Sequence, residues 1–180
     1  MAHTDPDPSA RSVAPLPRFR RAALWAGLGA AALGLMAAHD FSNEHLLLLN
    51  ASPSLPNWAF WVDLHRQPVR GDYVFFLPPR SDLLVRHFGP KPLLFGKRVM
   101  GVAGDMVTRA GNRVAVNGHI VARLKPTTMR GETLVPGPVG RIPDHCSFVA
   151  TRHKDGFDSR YAAIGWVCAA QIVGVGRPIL

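Results

Sequence analysis

The chain has 180 residues, with lysine and arginine exceeding acidic residues by nine. That length accommodates one compact domain and an N-terminal extension. The basic balance alone fits an anionic lipid surface or nucleic acid. No helix-turn-helix, zinc spacing or aromatic RNA-binding signature accompanies it, so nucleic acid is not an expected partner.

Residues 1–21 are polar and proline-rich, with Arg11, Arg18, Arg20 and Arg21 gathered toward the end. These four arginines face two aspartates, so the remainder of the chain still carries +7. Residues 22–38 then run 17 positions without a charge. As a helix this run rises about 26 Å, enough to cross a hydrocarbon core of about 30 Å with help from its flanks. Arginines before the run, and Asp40 and Glu44 after it, predict a cytoplasmic N-terminus. The expected organisation is a cytoplasmic segment over 1–21, a transmembrane anchor over 22–38 and an extracytoplasmic domain over 39–180. A cleaved secretory signal and a buried Ala-rich helix are the competing readings. Cutting after Ala38 would put Met36 third from the end, a poor fit to a small-residue cleavage site.

Beyond the apolar run, strands are expected throughout. Leu46–Leu49 is a short apolar stretch that leads into Asn50-Ala51-Ser52-Pro53-Ser54-Leu55-Pro56. Prolines 53 and 56 keep the backbone around Ser54 extended. Arg70-Gly71-Asp72 reads as a turn before the β-rich Tyr73–Leu77 rather than as an adhesion ligand. A strand is expected over Leu93–Val102, closed by Gly104-Asp105. Arg113–Val116 and Ile120–Arg123 flank Asn117-Gly118, a strong hairpin signal. An irregular excursion is expected between Lys125 and Asp144, and final strands over Ser147–Thr151 and Gly165–Val175. No helix is expected past residue 45. The predicted fold is mainly β, a single domain of curled antiparallel sheets or a small barrel behind one transmembrane helix.

Cys146 and Cys168 are too few for a structural zinc site. They form either one disulfide in an oxidising compartment, closing a loop around Asp158, or two buried thiols. The eight histidines show no metal-ligand spacing, and no phosphate loop or dinucleotide fingerprint is present, so no cofactor is expected.

Three blocks remain: the Ser52/Ser54 loop, Lys97-Arg98-Val99-Met100-Gly101-Val102-Ala103-Gly104-Asp105, and Phe157-Asp158-Ser159-Arg160-Tyr161. In this order they resemble the signal peptidase family of membrane-anchored Ser/Lys proteases. The Asn50 opening is most similar to the conjugal-transfer, pilin-maturation branch. The resemblance implies a serine endopeptidase in which Ser54 is the nucleophile and Lys97 the general base. It also implies that the Ser52 hydroxyl helps hold the oxyanion, while Asp158 and Arg160 support the lysine side of the site. A free serine needs a base within reach, and a lysine serves only when burial keeps it neutral. On an extended strand Lys97 points with Val99 and away from Arg98. If the Val99 face is inward, Lys97 is desolvated and Arg98 stays wet.

Three departures from the family pattern are visible. Relatives often carry a serine two residues before the aspartate, where Gly156 stands; a water or Ser159 could take over its contact with the lysine. Ala103 replaces a proline, and Trp58 replaces a glycine. The implied substrate is an exported precursor with small residues at the cut, such as a conjugative pilin, whose product the branch can also cyclise. The implied site is the periplasmic face of a bacterial inner membrane, in contact with lipid. A general signal peptidase, a catalytically inactive membrane-tethered scaffold and a soluble self-cleaving repressor are the alternatives.

Overall fold

The structure, a computed structural model, describes residues 18–50, 54–91 and 93–179. Two compact units divide it, one ending at Phe41 and the other beginning at Ser42.

The first unit is helical. α1 runs Arg18–Glu44, 27 residues and about 40 Å long, extending the predicted apolar helix by about one turn at its start and nearly two at its end. From Ala22 it is long and apolar enough to cross a membrane, a test that an N-terminal signal sequence also passes.

The second unit is mainly β, and every strand pairing in it is antiparallel. β1 (His45–Leu49), β2 (Ala59–Asp63), β3 (Tyr73–Phe76), β4 (Phe95–Val102), β9 (Cys146–Ala150), β10 (Val167–Cys168) and β11 (Ile172–Pro178) make a seven-stranded sheet. Its order is β1-β2-β11-β3-β4-β9-β10. The remaining strands are β5 (Met106–Ala110), β6 (Arg113–Val116), β7 (His119–Arg123) and β8 (Gly140–Arg141). They form a four-stranded sheet in the order β7-β6-β5-β8. The Asn117-Gly118 hairpin forms with φ of 48° and 81°, the doubly positive pair that a tight two-residue turn requires.

The final strands run where the sequence placed them, although β9 ends at Ala150 and the stretch from Gly165 splits into β10 and β11 around a single 3₁₀ turn, Ala169–Gln171. The excursion from Lys125 to Asp144 contributes β8 and two isolated bridges, Thr127 to Thr133 and Pro136 to Tyr161.

One expectation fails. A short helix, α2, spans Asp82–Phe88, well past residue 45. The Ser81 side chain accepts from the Leu84 N–H, Asp82 sits in the first turn, Arg86 and His87 in the last, and Gly89 follows at φ 86°. Each feature favours a helix at that end. With only two turns, its apolar period is too brief to stand out in sequence.

Both faces of β9 are covered. Val149 packs with Val74, Phe76, Val99 and Val167 in one cluster. Phe148 and Ala150 pack with Val107, Val114, Val116 and Ile142 in another, which joins the two sheets. A third cluster, Leu55, Phe60, Val62 and Phe75, lies at the foot of the serine loop.

Candidate active site

Lys97 sits on β4, opposite Val74 of β3. Burial along β4 alternates, with Phe95, Lys97 and Val99 inward and Arg98 exposed. Lys97 is only 6% exposed, and its Nζ lies 5.7 Å from the centre of the Phe95 ring. Loss of water pushes its pKa below the ordinary lysine value, and the nearby Arg160 charge pushes the same way. The Asp158 carboxylate pulls in the opposite direction, and burial is the larger influence. Arg98 turns to the other face, where its Nε donates to the Gly71 carbonyl at 3.0 Å.

Asp158 and Arg160 form an ion pair that is almost wholly buried. Arg160 Nε lies 2.7 Å from Asp158 Oδ1, and Nη2 lies 2.8 Å from Oδ2. The pair grips the end of β9 from both sides: the Thr151 N–H donates to Asp158 Oδ2 at 3.0 Å, and Arg160 Nη2 donates to the Thr151 carbonyl at 2.6 Å. Ser159, an alternative lysine contact on sequence grounds, has its Oγ accepting the Val149 N–H at 3.0 Å.

The serine loop leaves β1 and returns into β2. Asn50 closes it: its side-chain amide donates to the carbonyls of Leu55 and Asn57 at 3.2 and 2.9 Å. Its backbone N–H also donates to the Trp58 carbonyl at 2.7 Å. Ser54 is half-buried in this loop. Leu55, its neighbour, is buried and packs over Gly96, the residue before Lys97. A Cβ at Gly96 would lie 3.0 Å from Leu55 Cδ1 and 2.8 Å from Phe75 Cε1. The close approach of loop and strand thus depends on glycine at that position. Ser52 lies outside the described residues.

The structure therefore gathers Lys97, Asp158 and Arg160 around one point and lays the Ser54 loop against the adjoining strand position. Asp105, which ends the lysine block, serves the turn. Its Oδ2 accepts the Val102 N–H and its Oδ1 the Asn117 side-chain amide, each at 2.8 Å, and Arg70 pairs with it. Two residues were missed in the sequence. Asn50 was noted only as part of a motif, although an Asn opening a proline-bound loop is itself a loop-closing signal. Thr151 carried no sequence signal at all.

The disulfide question is settled by the structure. Cys146 and Cys168 are bonded and face each other across the β9–β10 ladder.

A family model described as signal peptidase, peptidase S26, matches residues 20–180. The conjugal transfer protein TraF of Agrobacterium tumefaciens (strain 15955) is 27% identical over 174 residues, spanning 90% of this chain and 97% of its own length. Among solved structures, a signal peptidase I from Enterococcus faecalis V583 is similar at 21% identity and a TM-score of 0.38. That likeness covers 61% of this chain and 97% of the other.

Proposed function

Because the chain belongs to the signal peptidase family, peptidase S26, we propose that it is a membrane-anchored serine endopeptidase working through a Ser54/Lys97 dyad. The observation that carries this reading is a lysine deprived of water, with a lowered pKa, on the strand against which the serine loop packs. Ser54 Oγ attacks the scissile carbonyl while Lys97 Nζ removes its proton. The amine returns that proton to the leaving nitrogen, and a water molecule then hydrolyses the acyl-enzyme with Lys97 again acting as base. The Ser52 hydroxyl and the Ser54 N–H are the donors to the oxyanion. Losing one such donor typically raises the barrier by about 2.7–4 kcal/mol. Asp158 and Arg160 hold the wall of the lysine pocket rather than touching substrate.

The similarity to a conjugal transfer protein supports a specialised substrate, an exported precursor of the conjugation apparatus with small residues at the cut. A pilin precursor fits that description, and aminolysis of the same acyl-enzyme by the product's own amine would cyclise it. The disulfide supports an oxidising compartment for the domain. The arginines before α1 support a cytoplasmic N-terminus, so the domain is assigned to the periplasmic face of an inner membrane.

Replacing Ser54 or Lys97 by alanine is expected to leave the precursor at full length in cells while each variant accumulates in membranes. Normal maturation in either variant contradicts the dyad. Uncut precursor from the native chain favours the scaffold alternative.

A further inference from the structure

We propose that the Thr151 hydroxyl is the positioning group that holds the Lys97 amine in the orientation a general base requires. The inference rests on the Ser54/Lys97 reading and names a residue that this reading does not supply.

The β4–β9 ladder pairs Val99 with Val149 and Arg98 with Ala150. One further step in that register brings Thr151 across from Lys97. Side chains alternate along each strand and paired residues project to the same face of a sheet, so Thr151 and Lys97 share the face that carries Val149 and Val99. The backbone groups of Thr151 point away from β4, its N–H to Asp158 and its carbonyl to Arg160. That arrangement marks a non-hydrogen-bonded cross-strand position, where facing side chains come closest. Directly opposed Cβ atoms are about 4.5–5.5 Å apart, well within the reach of a lysine.

The hydroxyl itself is unspent. Thr151 is 6% exposed, and its Oγ1 is the single buried side-chain polar atom without a hydrogen-bond partner among the described residues. Gly156 packs directly against it: a Cβ there would lie 2.6 Å from Thr151 Oγ1, so the hydroxyl fills the space that a side chain at 156 would need. Both backbone polar groups of Thr151 are satisfied by Asp158 and Arg160, so the hydroxyl is not needed to cap its own backbone.

The chemistry of a neutral lysine gives it one. An amine has a single lone pair and two N–H groups, and it abstracts a proton only when the lone pair points at the nucleophile. One N–H must therefore be engaged on the side away from Ser54. The apolar neighbours Phe95, Val74 and Val99 offer no acceptor. The Asp158 oxygens are occupied by Arg160 and the Thr151 N–H. Thr151 Oγ1 can accept from Nζ and fix the rotation of the amine. Asp158 and Arg160 are the charged groups acting on Lys97, and both flank Thr151.

The test uses the full chain in detergent, with native protein, Thr151→Val, Thr151→Ser and Lys97→Ala compared. The probe is an internally quenched peptide with alanine one and three residues before the cut. Lys97 is followed in parallel by ¹³Cε lysine NMR across pH. Thr151→Val is nearly isosteric and removes an unpaired buried hydroxyl, so its thermal midpoint should match or exceed the native one. Its kcat should fall roughly 10- to 100-fold, as expected for a misdirected base, with KM unchanged. The ammonium form loses an acceptor, so the Lys97 titration and the acidic limb of the rate profile should move to lower pH. Thr151→Ser should restore both. A native kcat and an unmoved Lys97 titration in a folded Thr151→Val, or a Thr151→Ser as defective as the valine variant, overturns the proposal. If the peptide is not cut by native protein, the titration alone decides. Cleavage that survives Lys97→Ala removes the dyad and this proposal together. An inactive Lys97→Ala beside a normal Thr151→Val removes this proposal alone.

Discussion

Lys97 carries an electrostatic cost of burial in the site. Burial holds its pKa below the reference of 10.5, at about 1.4 kcal/mol for each pH unit of depression. Between the lowered value and about 10.5 the unfolded chain binds more protons than the folded one, so stability rises with pH across that window. Replacing Lys97 by methionine removes the penalty. The variant is expected to be more stable than native protein at pH 7, with the advantage shrinking as pH approaches 10.5, and to be inactive at every pH. Thermal unfolding at pH 7 and pH 10 checks this; a lower midpoint at pH 7 contradicts it. That Lys97 and Val99 share one face and Arg98 takes the other was legible in the sequence, because strand side chains alternate strictly; which face turns inward was not, since it depends on the packing of the sheet. Thr151 was not legible, since its place opposite Lys97 follows from the ladder register, which no local pattern around either residue encodes.

At the scale of elements, the site depends on how closely the serine loop lies on β4. Asn50 ties the loop's ends, and Leu55 seats it on the bare backbone of Gly96. Gly96→Ala places a methyl group within 3.0 Å of Leu55 and Phe75, an overpacking that typically destabilises by about 1–3 kcal/mol. Because Leu55 adjoins Ser54, the variant should also lose kcat in proportion well beyond its stability loss at temperatures where it stays folded. A destabilised variant with native kcat would show that Leu55 does not position the nucleophile. Sequence pattern located β1, β3, β4, β6, β7, β9 and the stretch that holds β10 and β11, because each is an apolar or β-branched run bounded by turn residues. It missed β2, which follows directly on the Trp58 turn of the serine loop, β5, where exposed residues at successive positions blur the alternation, and the two-residue β8. It also missed α2, whose capping residues were present but whose two turns gave no period to read.

At the scale of the molecule, the Cys146–Cys168 bond closes the chain around Asp158 and Arg160, spanning 22 residues. A closed loop of that size stabilises by about 3 kcal/mol in the chain-entropy account. Replacing both cysteines by alanine should lower stability by about that amount, read as the unfolding free energy extrapolated to water with m fitted for each protein. An unchanged unfolding free energy would show that the bond adds nothing to the fold. The sequence left the pairing open because spacing alone does not say that β9 and β10 are neighbours. For the apolar helix, the membrane reading predicts that the chain stays in the membrane pellet after alkaline carbonate and moves to the supernatant only with detergent. Release by carbonate contradicts a retained anchor.

The most direct test of the dyad is to trap its acyl-enzyme. The detergent-solubilised full chain would be treated with an activated ester of an Ala-x-Ala peptide over a pH series and mapped by mass spectrometry. The acyl group should be found on Ser54, its formation rising through an apparent pKa below that of an ordinary lysine and vanishing in Lys97→Ala. Acylation at another residue, or on Ser54 at the same rate without Lys97, would contradict the account.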